Sequence, residues 1–282
     1  MNLTLLGVRG STAAPGADFV RYGGHTSCVA VSAPGEPPAL VLDAGTGLRR
    51  LGTLLDGRPF RGDVVLTHLH WDHVQGLPFS GAVDHPESRV RLHVPVPDAG
   101  ADPLEVLRRA MSPPHFPIGP DELLGEWEFV PLLPGPVALD DDRFAVSARR
   151  IRHKGGVAYG LRVAEPGGVQ AAYLPDHLLL DGGTDGAAIA DGVDLLLHDG
   201  QFVASEQLLA TAYGHTTVPA ALGYADHCRV GRVVLTHHHP DRTDAALDEL
   251  AAAFPETPGG RPVAFAVQGT TLAVSPKRNV SQ

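Results

Sequence analysis

Several things are scarce in this 282-residue chain, and each scarcity excludes something. No stretch approaches the ~18 consecutive apolar residues that a membrane helix needs, so no membrane span is expected. Cysteine occurs only at Cys28 and Cys228. Two thiols make no disulfide framework, and both read as ordinary semi-buried residues of a reducing compartment. The first residues, Met1-Asn2-Leu3-Thr4-Leu5-Leu6-Gly7, lack the basic region of a secretory signal and read as a first strand. A cytoplasmic location is the resulting expectation. Positive charge is also short, with 22 Lys and Arg against 32 Asp and Glu and a net charge of -10. That disfavours a broad nucleic-acid surface, which draws its affinity from neutralising phosphates. A bound metal cluster would still make one pocket positive inside an acidic protein. There is no internal repeat, low-complexity tract or charged tail.

What is present is turn residues and histidine. The 33 Gly and 25 Pro are spread along the chain and mark many short turns rather than one linker. Short apolar runs bounded by them predict strands at Leu3–Leu6, Cys28–Ser32 and Ala39–Leu42, with a hairpin turn at Pro34-Gly35-Glu36-Pro37. Leu48, Leu51, Leu54 and Leu55 share one face of a helix over 47–55. Further strands are expected at Val64–Thr67, Arg89–Val94, Glu128–Leu132, Phe144–Ile151, Ala158–Val163 and Gln170–Leu174, with a helix at Leu104–Met111. The last third alternates: strands Leu195–His198, Val233–Thr236 and Val263–Val267, with helices Val218–Asp226 and Asp244–Phe254. Strands first and alternation later predict an α/β chain of two sheets covered by helices, in a single domain over 1–282.

The 15 histidines are concentrated where chemistry would need them. His68-Leu69-His70-Trp71-Asp72-His73 follows directly on the apolar run Val64–Thr67. A strand end entering a tight turn aims His68 and His70 at one point and Asp72 and His73 at a neighbouring one. Neutral imidazoles with a carboxylate suit Zn²⁺ and other first-row ions. With this composition, H-x-H-x-D-H arises by chance in about 0.3% of chains of this length.

The chain here resembles the metallo-β-lactamase superfamily, whose signature is this motif after a buried strand. The resemblance covers nearly the whole length and is closest to the ribonuclease Z-like, small-phosphodiesterase branch. Val41-Leu42-Asp43-Ala44-Gly45-Thr46-Gly47 is similar to the family's strand–Asp–Gly turn, where the Asp orients the metal-site loop. Ile151-Arg152-His153 with Ala158–Arg162 is similar to the third motif, and Leu174-Pro175-Asp176 to the fourth. Tyr213-Gly214-His215-Thr216-Thr217 is similar to the branch's Gly-His-Ser/Thr element, and Leu235-Thr236-His237 to the fifth motif. The resemblance implies a four-layer αβ/βα sandwich of two mixed sheets flanked by helices. It implies that His68, His70 and His153 hold one metal ion, that Asp72, His73 and His237 hold the other, and that Asp176 bridges them. His215 would stand close by without ligating and, with Asp72, serve catalysis. His177 beside Asp176, and His238 and His239 beside His237, are competing donors.

Two divalent ions, zinc first with manganese or iron as alternatives, would share and activate a water for hydrolysis. An aspartate bridge, with no cysteine near Asp176, favours a metal-dependent phosphodiesterase acting on a small phosphodiester, cyclic ones included. A lactone, thioester or ester hydrolase is the alternative within the fold, and a non-catalytic metal-containing accessory protein the alternative outside it. A large nucleic-acid substrate is disfavoured. Ribonuclease Z-like enzymes carry a tRNA-gripping arm between the third and fourth motifs, and here His153 and Asp176 are only 23 positions apart. Pairing of relatives makes a homodimer an open expectation.

Around this frame lie weaker readings. Arg149, Arg150, Arg152 and Lys154 form a basic cluster, and strand alternation puts Arg149 with His153, facing the pocket or forming a solvated edge. Met111–Pro117 is either a stiff lid carrying His115 and Phe116 over the site or a plain surface loop. Tyr22–Ser27, with His25, is a candidate for the pocket rim. His198-Asp199 either packs structurally or orients a metal-bound imidazole. His85, His93 and His227 read as surface or structural.

Overall fold

A computed structural model of the chain describes residues 1–180 and 185–277. Among the described residues there are fourteen strands: β1 (Asn2–Gly7), β2 (Cys28–Ser32), β3 (Leu40–Leu42), β4 (Arg61–Val65), β5 (Arg89–Pro95), β6 (Glu126–Leu132), β7 (Gly135–Val137), β8 (Ala145–Ile151), β9 (Ala158–Ala164), β10 (Gln170–Leu174), β11 (Leu195–Asp199), β12 (Arg232–Thr236), β13 (Val263–Phe265) and β14 (Thr271–Ala273). They form two seven-stranded sheets, in the orders β14-β1-β2-β3-β4-β5-β6 and β13-β12-β11-β10-β9-β8-β7. Each sheet is antiparallel in one half and parallel in the other, with β3 to β6 parallel in the first and β10 to β13 parallel in the second.

The period-2 alternation of the strands builds the layers. Leu3, Leu5, Val29, Leu40, Leu42 and Val65 point from the first sheet into one central cluster, where they meet Val146, Leu161, Tyr173, Leu195, Leu197 and Val234 of the second. The intervening residues point outward. Ala30, Val41 and Val64 pack on a turn of 3₁₀ helix (Thr46–Arg50) that continues into α1 (Leu51–Leu54), on α2 (Trp71–Val74) and on α3 (Pro103–Arg108). Ala172, Leu174, Leu196, Val233 and Leu235 pack on α4 (Ala187–Ala190), α6 (Val218–His227) and α7 (Asp244–Ala253). Strands covered on both faces must be apolar almost throughout, which is why they stood out in the sequence. Each fully buried Leu or Val contributes about 1.5–3 kcal/mol. The result is the expected sandwich, helices–sheet–sheet–helices.

Some expectations need correction. Leu54 is 37% exposed while Leu48, Leu51 and Leu55 are buried, because the 3₁₀ start rotates the helix face. Cys28 and Cys228 are wholly buried, the first in β2 and the second at the end of α6. The edge strands β7 and β14 and the helices α4 and α5 (Gln207–Tyr213) were not expected from the sequence.

Candidate metal centre

The carboxyl ends of the central strands converge on one rim of the sandwich, the position where open α/β sheets place their ligands. Asp43 follows β3 with a left-handed φ of 60°. Its Oδ1 accepts hydrogen bonds from the Thr67 amide at 2.7 Å and the Thr67 hydroxyl at 2.9 Å, fixing the segment after β4. Its Oδ2 accepts from His73 Nδ1 at 2.8 Å. That bond turns His73 Nε2 inward and sets its tautomer. The single turn of α2 then presents Asp72 and His73 together, with His70 as its N-cap.

The second sheet supplies the other half. His153, just beyond β8, donates from Nδ1 to the Gly214 carbonyl at 2.7 Å, leaving Nε2 to point at the cluster. Gly214 caps α5 with φ +86°, and a Cβ there would lie 2.4 Å from the Lys154 amide, so only glycine suits the position. Asp176 follows β10. His237 follows β12 with φ 58° and lies against the turn after β1, where Gly10 touches its ring.

Asp176 stands between two cages. Its Oδ2 lies 3.6 Å from His68 Nε2 and 3.5 Å from His153 Nε2, which is itself 3.1 Å from His70 Nδ1. Its Oδ1 lies 3.1 Å from both His73 Nε2 and His237 Nε2. Asp72 Oδ2 closes that second cage at 3.3 Å from His73 Nε2 and 3.1 Å from His237 Nε2. His68 Nε2 and Asp176 Oδ1 are buried without hydrogen-bond partners. Such orphans are costly unless a cation satisfies them, and the donor set of imidazole and carboxylate fits a divalent ion. His68, His70, His153 and Asp176 thus form one group able to hold a metal, and Asp72, His73 and His237 another.

The charges of the cluster act strongly on one another. Burial would raise the Asp176 carboxyl, but His237, His73 and His68 outweigh it and hold Asp176 far below the usual carboxylate range. Asp72 is likewise held low, against burial, by His73 and His237. Burial, reinforced by His73, pushes His68 down and keeps it neutral, the form that ligates.

His215 flanks the cages. Its Nε2 lies 3.9 Å from Asp176 Oδ2, and it shares a third possible metal-holding group with Asp176 and His237. Its Nδ1 donates to Asp199 Oδ2 at 2.8 Å. Burial opposes its charged form, yet Asp199 and Asp176 raise its pKa to about 9. The cleft over the cluster encloses about 880 Å³, with Trp71, Phe202, Leu209 and Tyr213 on its sides and Lys154 at its rim.

A model of the beta-lactamase superfamily domain matches residues 39–238, a span that contains every one of these cage residues. The chain belongs to that family. Relatives within the superfamily include the ribonuclease Z of Bradyrhizobium sp. (strain ORS 278), 27% identical over 77% of this chain and 86% of that one. The ribonuclease Z of Geobacillus kaustophilus is 28% identical over 83% and 90%. A match at 38% to that of an Exiguobacterium is confined to 24% of either chain. Among solved structures, the short form of human tRNase Z superposes with a TM-score of 0.67 at 22% identity, over 97% of this chain and 99% of that one. A diphosphatase from the PhnP family superposes at 0.71 and 18%, over 96% and 97%. Superfamily membership together with the His/Asp cluster supports a metal-dependent hydrolase binding divalent ions.

As a member of the beta-lactamase superfamily, the chain places its other candidate residues as follows. The competing histidines resolve by direction: His177 turns into the core towards His198, 3.0 Å away, and His238 is buried, donating to the Ala266 carbonyl at 2.8 Å. His239 reaches only the cleft lining. His198 packs, whereas its neighbour Asp199 orients His215. Arg149 is exposed on β8 and does not line the cleft; Lys154 does. His25 faces Thr46 Oγ1 at 3.2 Å and lines a separate cavity with Arg49. Met111–Pro117 does not cover the cluster, since His115 and Phe116 wall a neighbouring pocket. His93 is structural, buried against Asp63 at 2.7 Å. Two residues were missed. The Ser11 amide donates to Asp72 Oδ2 at 2.7 Å, and Gln201 Nε2 donates to Ser11 Oγ at 2.9 Å. Neither carries a local sequence signal.

No helix among the described residues is long and apolar enough to cross a membrane.

Proposed function

We propose that the chain is a dinuclear metal-dependent phosphodiesterase acting on a small phosphodiester. The observation that carries the reading is the disposition of Asp176, one oxygen towards each histidine cage. His68, His70 and His153 would hold one ion, Asp72, His73 and His237 the other, with Asp176 between. Zinc is the first choice, and manganese or iron would also suit these donors. Two such ions would lower the pKa of a water and neutralise charge developing on the attacked phosphoryl oxygens.

The protein's own groups do the rest. Asp72, pinned by the Ser11 amide, keeps its carboxylate in one orientation beside the attacked group. Asp199 aims His215 and favours its charged form, so its Nε2 could donate a proton to the departing alkoxide. A phosphodiester bond, rather than a carboxylic ester, is supported by the relatives named ribonuclease Z and by this poised acid. A small substrate is supported by the stretch from His153 to Asp176, which holds the β9–β10 pair and their connections. A net charge of -10 points the same way. Nothing in this reading requires more than one domain.

Protein loaded with Zn²⁺ or Mn²⁺ is expected to hydrolyse bis-p-nitrophenyl phosphate, and Asp176→Ala to bring turnover to background. A metal-replete wild type no faster than that variant on any phosphodiester would overturn the reading.

A further inference from the structure

The cleft over the cages shares a wall with a second cavity of about 310 Å³. The shared wall is Trp71, whose side chain is 69% exposed although it stands between His70 and Asp72 in sequence. On its far side Leu77, Leu107 and Met111 make a buried floor. Phe79, itself 60% exposed, meets Phe116 edge-to-face with centroids 5.7 Å apart. Gln75 and His115 are polar groups on the lining.

We propose that this cavity is a substrate subsite for a planar aromatic group, an aryl ring or a nucleobase, esterified to the phosphoryl group that lies over the cages. The proposal rests on the phosphodiesterase reading and names the class of diester. Three observations carry it. A volume of about 310 Å³ suits one flat group and is too small for a helix or strand of a partner protein. Its walls are aromatic faces and edges, the surfaces on which aryl rings and bases stack. Its position is tied to the metal cages, because the backbone of Trp71 opens the same turn that presents Asp72 and His73. The opposite wall is equally braced: the amides of His115 and Phe116 both donate to the Ser112 carbonyl at 2.9 Å, and Ser112 Oγ donates to the Arg108 carbonyl at 2.7 Å. A group stacked on Trp71 would therefore hold its phosphoryl neighbour in register with the two cages.

The test separates this subsite from the chemistry. Calorimetric titration of the metal-loaded protein with phenyl phosphate, thymidine 5′-phosphate and methyl phosphate measures binding without any turnover. The two aromatic monoesters are expected to bind about tenfold or more tighter than methyl phosphate. Between them, the tighter one identifies aryl ring or base as the natural occupant. Phe116→Ala is expected to cut that preference to threefold or less. Phe79→Ala, at a more exposed position, should do the same if Phe116→Ala fails to fold. No preference in the wild type, or a preference surviving both variants, would overturn the subsite. So would a change of oligomeric mass on Phe116→Ala, which would make the cavity a contact between copies of the chain. Aromatic preference without cleavage of any diester would leave the subsite standing and remove the phosphodiesterase reading. Cleavage without preference would do the reverse.

Discussion

His215 shows how one buried side chain takes its orientation and charge from its neighbour. An imidazole at this depth would ordinarily shed its proton, but Asp199, itself fully buried, accepts from Nδ1 at 2.8 Å and lifts the pKa to about 9. In the proposed reaction Nε2 would then face the departing group with a proton to give. Removing it should matter most when the leaving group is a poor one that needs protonation. His215→Ala is expected to slow a methyl-type alkoxide leaving group by about a hundredfold or more. For p-nitrophenolate, which leaves unaided, the same variant should lose only a few-fold. Asp199→Asn should repeat the pattern more weakly, since it keeps the ring but not its charge or aim. Equal losses across a leaving-group series would show that His215 has a purely structural part.

At the scale of elements, the cages depend on where strands stop. β4, β8, β10 and β12 each end within three residues of a cage donor, and a turn from the other sheet holds the last of them in place. That turn is Val8-Arg9-Gly10-Ser11: the Gly10 amide donates to the His238 carbonyl at 3.0 Å, and a Cβ on Gly10 would lie 2.2 Å from His237 Nδ1. Gly10→Ala should therefore push His237 out of the second cage. Metal content after dialysis, measured by mass spectrometry, is expected to fall by up to half. Gly52→Ala, where a Cβ meets nothing, should leave it unchanged. Full metal retention in Gly10→Ala would show that the turn does not constrain His237.

The same elements explain what could be read from the amino-acid order. β2, β3, β10 and β11 are buried on both faces, so they are apolar runs cut off by turn residues and visible without any structure. β7 was invisible because Gly135-Pro136 spells a turn, and α5 because Leu208 and Leu209 face solvent and break the amphipathic pattern. His68 to His73 are adjacent in sequence and announce themselves. His153, Asp176 and His237 carry almost no local signal and emerge only from resemblance. Of the two readings of Arg149, the solvated edge is the one observed, for a definable reason. Alternation does put it on the face of Ile151, but the chain leaves β8 there, and parity no longer governs where His153 points.

For the whole molecule, the cages bring polar groups of the two sheets together at one rim. His68, His70, Asp72 and His73 belong to the first sheet's rim, His153, Asp176 and His237 to the second's. Between the sheets lies the central apolar cluster, which needs no ligand. A cation in each cage would cross-link the sheets in the folded state and satisfy His68 Nε2 and Asp176 Oδ1. An ion that binds only the folded state stabilises it by about 2.7 kcal/mol at a hundredfold excess over its Kd. At roughly 2 °C per kcal/mol for a domain of this size, filling both cages is expected to raise Tm by about 10 °C over chelated protein. The apolar core should keep the chelated form folded, so far-ultraviolet circular dichroism ought to be the same in both states at 25 °C. Replacing Asp176 with Asn should remove most of the metal-dependent rise, because that residue serves both cages. Equal melting temperatures with chelator and with Zn²⁺, at concentrations where metal is shown to be bound, would mean that the ions do not tie the sheets together.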